Sequence, residues 1–141
     1  MDIATIHSQL DRAAYELLLC NLLFVQEKAQ QLLELSQTLL HTPLQPLVEG
    51  SYWSLVGQHS KSVLCFSAVV ARSPACYDGW LLLGHEYMRL AQQKAAIACY
   101  FKAVQINSSD YRGFFALAQA YAQGLNDDMA YYFFMRTVSL Q

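Results

Sequence analysis

The sequence predicts an all-α fold in which short helix pairs stack into a right-handed α-solenoid. Three observations predict it. Side chains of similar size recur every 34 residues, small and aromatic positions occur together within each period, and turn-forming residues separate the apolar helical segments. A period of that length corresponds to one helix pair, so we expect about three pairs preceded by N-terminal helices.

The repeat is visible in four columns of equivalent positions. Two columns hold small residues and two hold aromatic ones. In chain order they are Gly50, Gly84 and Ala118; Trp53, Tyr87 and Tyr121; Ser62, Ala96 and Ala130; and Phe66, Tyr100 and Phe134. Two helices cross closely only where a small side chain marks the contact, and aromatic side chains then fill the surrounding space. Each pair is apolar on more than one face and needs a neighbouring pair to bury itself.

The turns between these columns set the helix bounds. Breaker and cap residues mark turns at Gly57–Ser60, Arg72–Pro74, Asn107–Asp110 and Gly124–Asp127. First helices are therefore predicted over about 44–57, 77–90 and 111–123, and second helices over about 60–72, 93–106 and 127–140. The predicted organisation is an N-terminal helical cap or degenerate repeat at about 1–42, then repeats at about 43–76, 77–110 and 111–141. The N-terminal segment is helical in pattern but fits the template poorly.

The middle repeat carries the clearest motif. Its motif residues are Trp80, Leu83, Gly84, Tyr87, Ala96, Tyr100 and Ala103. The first four have the spacing W-x2-L-G-x2-Y, which resembles the tetratricopeptide repeat. Pro74 stands at the closing position of the first repeat, where the second repeat has Ser108.

Several short segments are more particular than repeat packing requires. They are SYWSL at 51–55, QH at 58–59, GHEYM at 84–88, AAI at 95–97, DYR at 110–112 and AYYF at 130–133. Together they resemble the central repeats of subunit eight of the anaphase-promoting complex, a tetratricopeptide subunit of a large ubiquitin ligase.

This resemblance implies a non-catalytic scaffold that acts in cell-cycle control and mitosis in the nucleus, forms homodimers and helps to dock activators and neighbouring subunits. The chain is far shorter than that family. It is either a fragment or a naturally reduced subunit, and in both cases the dimer and activator contacts are expected to be partly missing.

The composition favours a subunit of a protein assembly. Hydrophobic residues make up 55% of the chain and charged residues 14%, against about 25% charged in typical soluble domains. We therefore expect exposed apolar surface. A net charge of −2 without a basic run argues against nucleic acid or an anionic membrane as partner.

Length and terminal sequence set two further expectations. The 141 residues predict one cooperative unit. The N-terminus opens with Asp2 and lacks a basic region before a hydrophobic block, and the longest apolar stretch, 17–25, is about half of a membrane span. These features predict an intracellular protein, found in nucleus and cytoplasm.

No catalytic or metal-binding motif is found in the sequence. His85 and Glu86 begin the zinc-protease pattern HExxH, but the fifth residue is Arg89 and the second ligand is missing. The remaining histidines and the cysteines are His7, His41, His59, Cys20, Cys65, Cys76 and Cys99. They show no metal-ligand spacing, and the cysteines are expected to be small buried apolar residues. We predict no enzyme activity, no cofactor, no metal and no small-molecule substrate.

The first helices of such repeats line the concave face, which is where a peptide or partner would bind. The predicted contact residues are Asp78, Leu81, His85, Met88, Arg89, Arg112, Phe115 and Gln119. Arg89 and Arg112 are candidates for binding carboxylates, and Met88 and Phe115 for apolar contact. Two alternatives stay open: a solvated groove without a dedicated ligand, or a stand-alone adaptor that binds a short peptide motif there.

The last helix carries five large apolar residues in a row, Tyr131 to Met135, which cover every side of a helix. Such a helix is expected to be buried all round. The residues predicted to contact a partner or a second copy are Tyr131, Tyr132, Phe133 and Met135. The cover would be another copy of the chain, another protein, or repeats absent from it.

Overall fold

The computed structural model describes residues 3–141, with side chains from residue 11 onward. In this part the chain forms eight α-helices and no strand. They are α1 (Ile3–Val25), α2 (Ala29–Thr38), α3 (Gln45–Leu55), α4 (His59–Arg72), α5 (Tyr77–Arg89), α6 (Gln93–Ile106), α7 (Tyr111–Gln123) and α8 (Asp127–Leu140). The six predicted repeat helices agree with α3–α8 to within about two residues. Asp2 and the side chain of His7 lie outside the described residues.

Backbone contacts divide the chain into two compact units, residues 1–65 and 66–141, with the boundary inside α4. This division describes contacts and not unfolding. The prediction of one cooperative unit, made from the length, therefore stays a prediction. Helix pairs in a repeat stack contact mainly their neighbours, so part of a stack is compact by itself.

The first unit contains α1, α2 and α3 and the start of α4. Its core consists of Cys20, Leu23, Leu32, Leu39 and Val48. A buried polar chain crosses this core: the Cys20 thiol donates to Ser51 Oγ at 3.7 Å, and the Ser51 hydroxyl donates to the Leu47 carbonyl at 2.9 Å. Each buried donor is therefore satisfied.

The small residues of the first repeat mark a contact between α3 and α4. Ser62 is fully buried, and its hydroxyl donates to the carbonyl of Gly50 at 2.8 Å. A serine is small enough to let the helices approach, and its hydroxyl also satisfies a buried polar group.

The second unit contains the rest of α4 and the helices α5–α8. Its core is formed by Leu81, Ala96, Tyr100, Val104, Phe114, Ala116, Leu117, Ala118, Ala120 and Phe133. A Cβ added to Gly84 would overlap the ring of Tyr100. The aromatic residue of one helix thus fills the space left by the glycine of the other, as the sequence predicted.

The turns inside the helix pairs share one backbone device. Gly57, Ala91 and Leu125 are 34 residues apart and all have positive φ, at 82°, 59° and 58°. In the middle turn the N–H of Gln92 donates to the Tyr87 carbonyl at 2.8 Å and that of Ala91 to the Met88 carbonyl at 3.0 Å. This is the Schellman arrangement, which ends a helix with a left-handed residue. In the third turn the left-handed residue is Leu125. The sequence had indicated its neighbour Gly124 as the first residue of that turn, but Gly124 has a negative φ.

Candidate partner-binding surfaces

The residues predicted for the concave face all lie on α5 and α7 of the second unit. The structure sorts them into three environments. Four of them line a pocket, two form an ionic cluster, and the remaining two, Leu81 and Phe115, belong to neither.

The pocket lies between α5, α6 and α7 and has a volume of about 320 Å³. It is lined by His85, Met88, Arg89, Tyr100, Ala116, Gln119, Ala120 and Gln123. We call it the α5–α7 pocket. His85, Met88, Arg89 and Gln119 were predicted from their position on the first helices. Tyr100 was predicted only as a packing residue, because nothing in a repeat pattern indicates that its hydroxyl reaches a pocket.

One hydrogen bond organises the pocket floor. His85 Nδ1 lies 2.8 Å from the Tyr100 hydroxyl, and the two rings meet edge to face with centroids 5.4 Å apart. Burial lowers the pKa of His85, and the positive charges of Arg89 and Arg112 lower it further against the opposing effect of Glu86. Burial likewise raises the pKa of Tyr100. Both groups are therefore uncharged near neutral pH, and the floor is a neutral hydrogen-bonding surface.

The lining of the pocket combines apolar contacts with amide groups. It contains no serine, threonine, cysteine or carboxylate side chain, so no such nucleophile or acid is paired with His85 there. Met88 supplies an adaptable apolar contact, and Gln119 and Gln123 supply amide donors and acceptors. This combination fits a peptide segment with an apolar side chain and free backbone polar groups.

An ionic cluster lies at the N-terminal ends of α5 and α7. Arg112 Nη2 is 2.8 Å from Asp110 Oδ2, and Arg112 Nη1 is 3.6 Å from Asp78 Oδ1. The guanidinium also lies 5.3 Å from the centre of the Tyr77 ring. The hydrogen bonds from Arg112 lower the pKa of Asp110. Arg112, expected to bind a partner's carboxylate, is thus engaged by carboxylates of its own chain.

The structure buries two of the predicted contact residues in the core of the second unit. Leu81 is 5% exposed and Phe133 is 4% exposed, and both belong to the core of the second unit. Leu81 precedes Gly84 by about one turn and shares its face toward α6. Phe133 stacks on Phe114 and Tyr121, with ring centroids 6.3 and 5.7 Å away.

The other large residues of the run 131–135 are exposed, and so is Val138. Tyr131, Phe134, Met135 and Val138 stand at positions i, i+3, i+4 and i+7 of α8 and form one apolar line, which we call the α8 stripe. Tyr132 is exposed on another side of the helix. Within the described residues one side of this helix is thus uncovered, and the predicted cover by a further protein surface stays a prediction. Phe115 of α7 extends the stripe, since its ring lies 6.0 Å from that of Phe134.

The cysteines carry free thiols. Burial raises the pKa of Cys20, and raises that of Cys65 and Cys99 to about 11. These three thiols therefore stay protonated and weakly nucleophilic at physiological pH.

Two structural searches cover the described residues only. Among them, no three His, Cys, Asp or Glu side chains converge as metal ligands would. No helix in that part of the chain has the length and apolarity needed to cross a bilayer.

Comparison with known proteins finds similar sequences among subunits of one complex. No protein-family profile matches the chain. It is 32% identical over 83 residues to anaphase-promoting complex subunit CDC23 of Saccharomyces cerevisiae, which covers 56% of this chain and 13% of that protein. It is 33% identical over 79 residues to anaphase-promoting complex subunit 8 of Arabidopsis thaliana, and the match covers 53% of this chain and 14% of that protein. It is also 22% identical over 107 residues to anaphase-promoting complex subunit 3 of Schizosaccharomyces pombe, and this match covers 74% of this chain and 16% of that protein.

A solved structure shows the same fold. A chain in the crystal structure of the APC/C hetero-tetramer Cut9-Hcn1 superposes with a TM-score of 0.83 over 86% of this chain and 24% of its own, at 19% identity. The fold is an α-solenoid of tetratricopeptide type, and the sequence resembles subunit eight of the anaphase-promoting complex. The chain spans about 13–16% of the length of the curated relatives it matches.

Proposed function

We propose that the protein is a non-catalytic scaffold subunit of a ubiquitin ligase of the anaphase-promoting type, acting in cell-cycle control in the nucleus and cytoplasm. The observation that carries this proposal is that three curated relatives and one solved structure share a single complex in their names. Its partners would be other protein subunits of that assembly, with a homodimer as one arrangement.

The physical character of the surface supports a scaffold. The α8 stripe exposes large apolar side chains in one line, which is costly in water and typical of a protein interface. The α5–α7 pocket offers hydrogen bonds and apolar contact but no serine, cysteine or carboxylate. The α8 stripe and the α5–α7 pocket are therefore both suited to binding other proteins.

Purification from cells that express the chain tests the proposal. The tagged chain should co-purify with subunits of the ligase, identified by mass spectrometry. The double variant Tyr131→Asp with Met135→Asp should lose those subunits, because it places charges on the α8 stripe. Gln31→Asp adds a charge at an exposed position on α2 and should keep them. Recovery of no ligase subunit with the unmodified chain would contradict the proposal.

A second candidate is a stand-alone adaptor that binds a short peptide. The convergence of four predicted residues in the α5–α7 pocket favours it. The exposed lining residues Gln119 and Gln123 allow a matched test, because Gln→Glu changes charge with almost no change in shape. An adaptor should lose its bound proteins with Gln119→Glu and Gln123→Glu and keep them with the α8 double variant. A scaffold should show the reverse.

A further inference from the structure

One aromatic position shared by the three repeats carries a hydroxyl in the second repeat alone. Phe66, Tyr100 and Phe134 are equivalent and lie 34 residues apart. Phe66 is 1% exposed and Tyr100 is 2% exposed, so a plain phenyl ring is enough to fill this space in a packed core. The Tyr100 hydroxyl is therefore not needed for packing, and its burial would cost free energy without a hydrogen-bond partner.

The partner of this hydroxyl is His85 on α5. His85 Nδ1 lies 2.8 Å from the Tyr100 oxygen. The equivalents of His85 are Ser51 and Gln119, so this histidine–tyrosine pair is particular to the second repeat. The ring of Tyr100 lies against Gly84, where an added Cβ would overlap it. The close packing holds the ring, and with it the hydroxyl, in place beside the imidazole.

The chemistry of the two groups sets the direction of their hydrogen bond. Burial lowers the pKa of His85, so the ring is uncharged near neutral pH and carries one hydrogen. An imidazole nitrogen is far more basic than a phenol oxygen, and a phenol is a good donor. The arrangement O–H···N is thus favoured over N–H···O. With Nδ1 as the acceptor, the hydrogen of the ring stands on Nε2.

The other ring nitrogen is open to the α5–α7 pocket. His85 lines this pocket, and within the described part of the chain its side chain has no hydrogen bond besides that to Tyr100. No buried side-chain nitrogen or oxygen in the same part of the chain lacks a partner. Nε2 is therefore reached by solvent, and its N–H is a donor without an acceptor.

The charges around the pocket favour an uncharged acceptor. Arg89 is the charged residue of the lining, and it already has a partner in the chain. Arg112 is held by Asp110 and Asp78. A carboxylate entering the pocket would have to compete with these partners, and its burial costs free energy. An uncharged carbonyl oxygen can accept the N–H of His85 without that cost.

We infer that the α5–α7 pocket binds an amide carbonyl of a partner peptide through the Nε2–H of His85, and that Tyr100 is the positioning residue that fixes this tautomer. The amide belongs to the peptide backbone or to a glutamine or asparagine side chain, which share this chemistry. Gln119 and Gln123 offer acceptors for the N–H of the same amide, and Met88 offers apolar contact beside it.

This inference deepens the proposed function and rests on it, because it names the chemical group that a bound protein presents to the pocket. His85 determines specificity as a donor. Tyr100 acts only through His85, by keeping hydrogen off Nδ1.

Nitrogen NMR of the full chain with isotope-labelled histidine measures the tautomer directly. Its chemical shifts distinguish a protonated ring nitrogen from an unprotonated one, and His85→Gln identifies the signals of His85. Near neutral pH we expect an unprotonated Nδ1 and a protonated Nε2. Tyr100→Phe should move the Nδ1 signal, because it removes the donor and keeps the ring. A protonated Nδ1, or a Nδ1 signal that Tyr100→Phe does not move, would overturn the inference.

Three capped tetrapeptides test the acceptor. Their sequence is alanine–leucine–X–alanine with acetyl and amide ends, and X is glutamine, methionine or glutamate. NMR titration of the full chain should show saturable binding of the glutamine peptide with a Kd of about 1 mM. Equal binding of the methionine peptide would identify a backbone carbonyl as the bound group, and weaker binding would identify the side-chain carboxamide. Absence of binding by the glutamine peptide, or tighter binding of the glutamate peptide, overturns the inference.

Two substitutions of one residue separate the donor from the packing. The amide of asparagine reaches about the place of Nδ1, and that of glutamine reaches about the place of Nε2. His85→Asn should therefore weaken binding of the glutamine peptide at least about tenfold, whereas His85→Gln should stay within about threefold of the original chain. His41→Asn is the control, because His41 is exposed and its positive φ suits asparagine. Equal effects of the two His85 variants would contradict a donor at Nε2.

Failure of this inference and failure of the proposed function are distinguishable. Peptide binding through His85 without recovery of any ligase subunit from cells refutes the function and keeps the donor. Recovery of ligase subunits without peptide binding refutes the donor alone.

Discussion

The helix pairs α5–α6 and α7–α8 carry equivalent residues in different environments. Tyr100 on α6 is 2% exposed, whereas its equivalent on α8, Phe134, is 37% exposed. The reason is that α6 packs between α5 and α7, whereas α8 packs mainly against α7. Burial at a repeat position therefore depends on the neighbouring pair more than on the residue that occupies the position.

Truncation of the two equivalent aromatic residues should give the largest difference in the free energy of unfolding between the two pairs. Tyr100→Ala should lower the free energy of unfolding by about 3–5 kcal/mol, because it leaves a cavity in a packed core. Phe134→Ala should lower it by about 1 kcal/mol or less, since much of that ring is already in water. Urea unfolding followed by circular dichroism measures both. Equal losses would show that the two pairs are packed alike.

The equivalent small residues Gly84 and Ala118 should both be sensitive to substitution, one to an added methyl group and the other to a removed one. Gly84→Ala places a methyl group against the Tyr100 ring and should cost about 1–3 kcal/mol in the free energy of unfolding. Ala118 already carries a methyl group in a packed core, so Ala118→Gly should cost about 1 kcal/mol or more through lost helix propensity and packing. Urea unfolding of both variants measures the effect. A stabilised Gly84→Ala variant would contradict the close contact between α5 and α6.

The turns should respond alike in the two pairs, which makes them a control for the comparison. Ala91 and Leu125 hold left-handed backbone conformations that favour glycine. Ala91→Gly and Leu125→Gly should each raise the free energy of unfolding by about 0.5–1 kcal/mol. Gly57→Ala, which meets no atom within 4 Å of the added Cβ, should lower it by about 1 kcal/mol through backbone strain alone. Thermal unfolding would detect a wrong sign in any of the three.

The two helix pairs also differ at the equivalent positions 85 and 119, where α5 carries His85 and α7 carries Gln119. Only the histidine titrates, so we expect an acid-dependent loss of stability from α5 and none from α7. Burial lowers the pKa of His85, so the unfolded chain takes up this proton first as the pH falls. Because the unfolded state then binds more protons, the free energy of unfolding decreases as the pH falls below the ordinary histidine value. His85→Gln should remove this part of the acid sensitivity in urea unfolding measured at several pH values. The exposed His41→Gln is the control and should retain it.

Much of the fold was predictable from the pattern of residue sizes. Recurrence of small and aromatic residues located the six repeat helices and the contact at Gly84, because a close helix crossing leaves no room for a larger side chain. The pairing of Arg112 with Asp78 was not predictable, since it depends on how α5 and α7 approach each other. The burial of Leu81 and Phe133 was not predictable for a related reason: their helices carry apolar residues on several faces, and the sequence does not mark which face meets a neighbour.

The sequence by itself determined where the helices begin and end and which residues allow them to meet, because these properties depend on local backbone preference and side-chain volume. The tertiary structure alone decided which apolar faces are covered. Val104 and Val138 are identical in the repeat pattern, and only the packing of α7 on α6 buries one and leaves the other in water. Burial is a property of a residue together with its neighbours, so it emerges only when the helices are assembled.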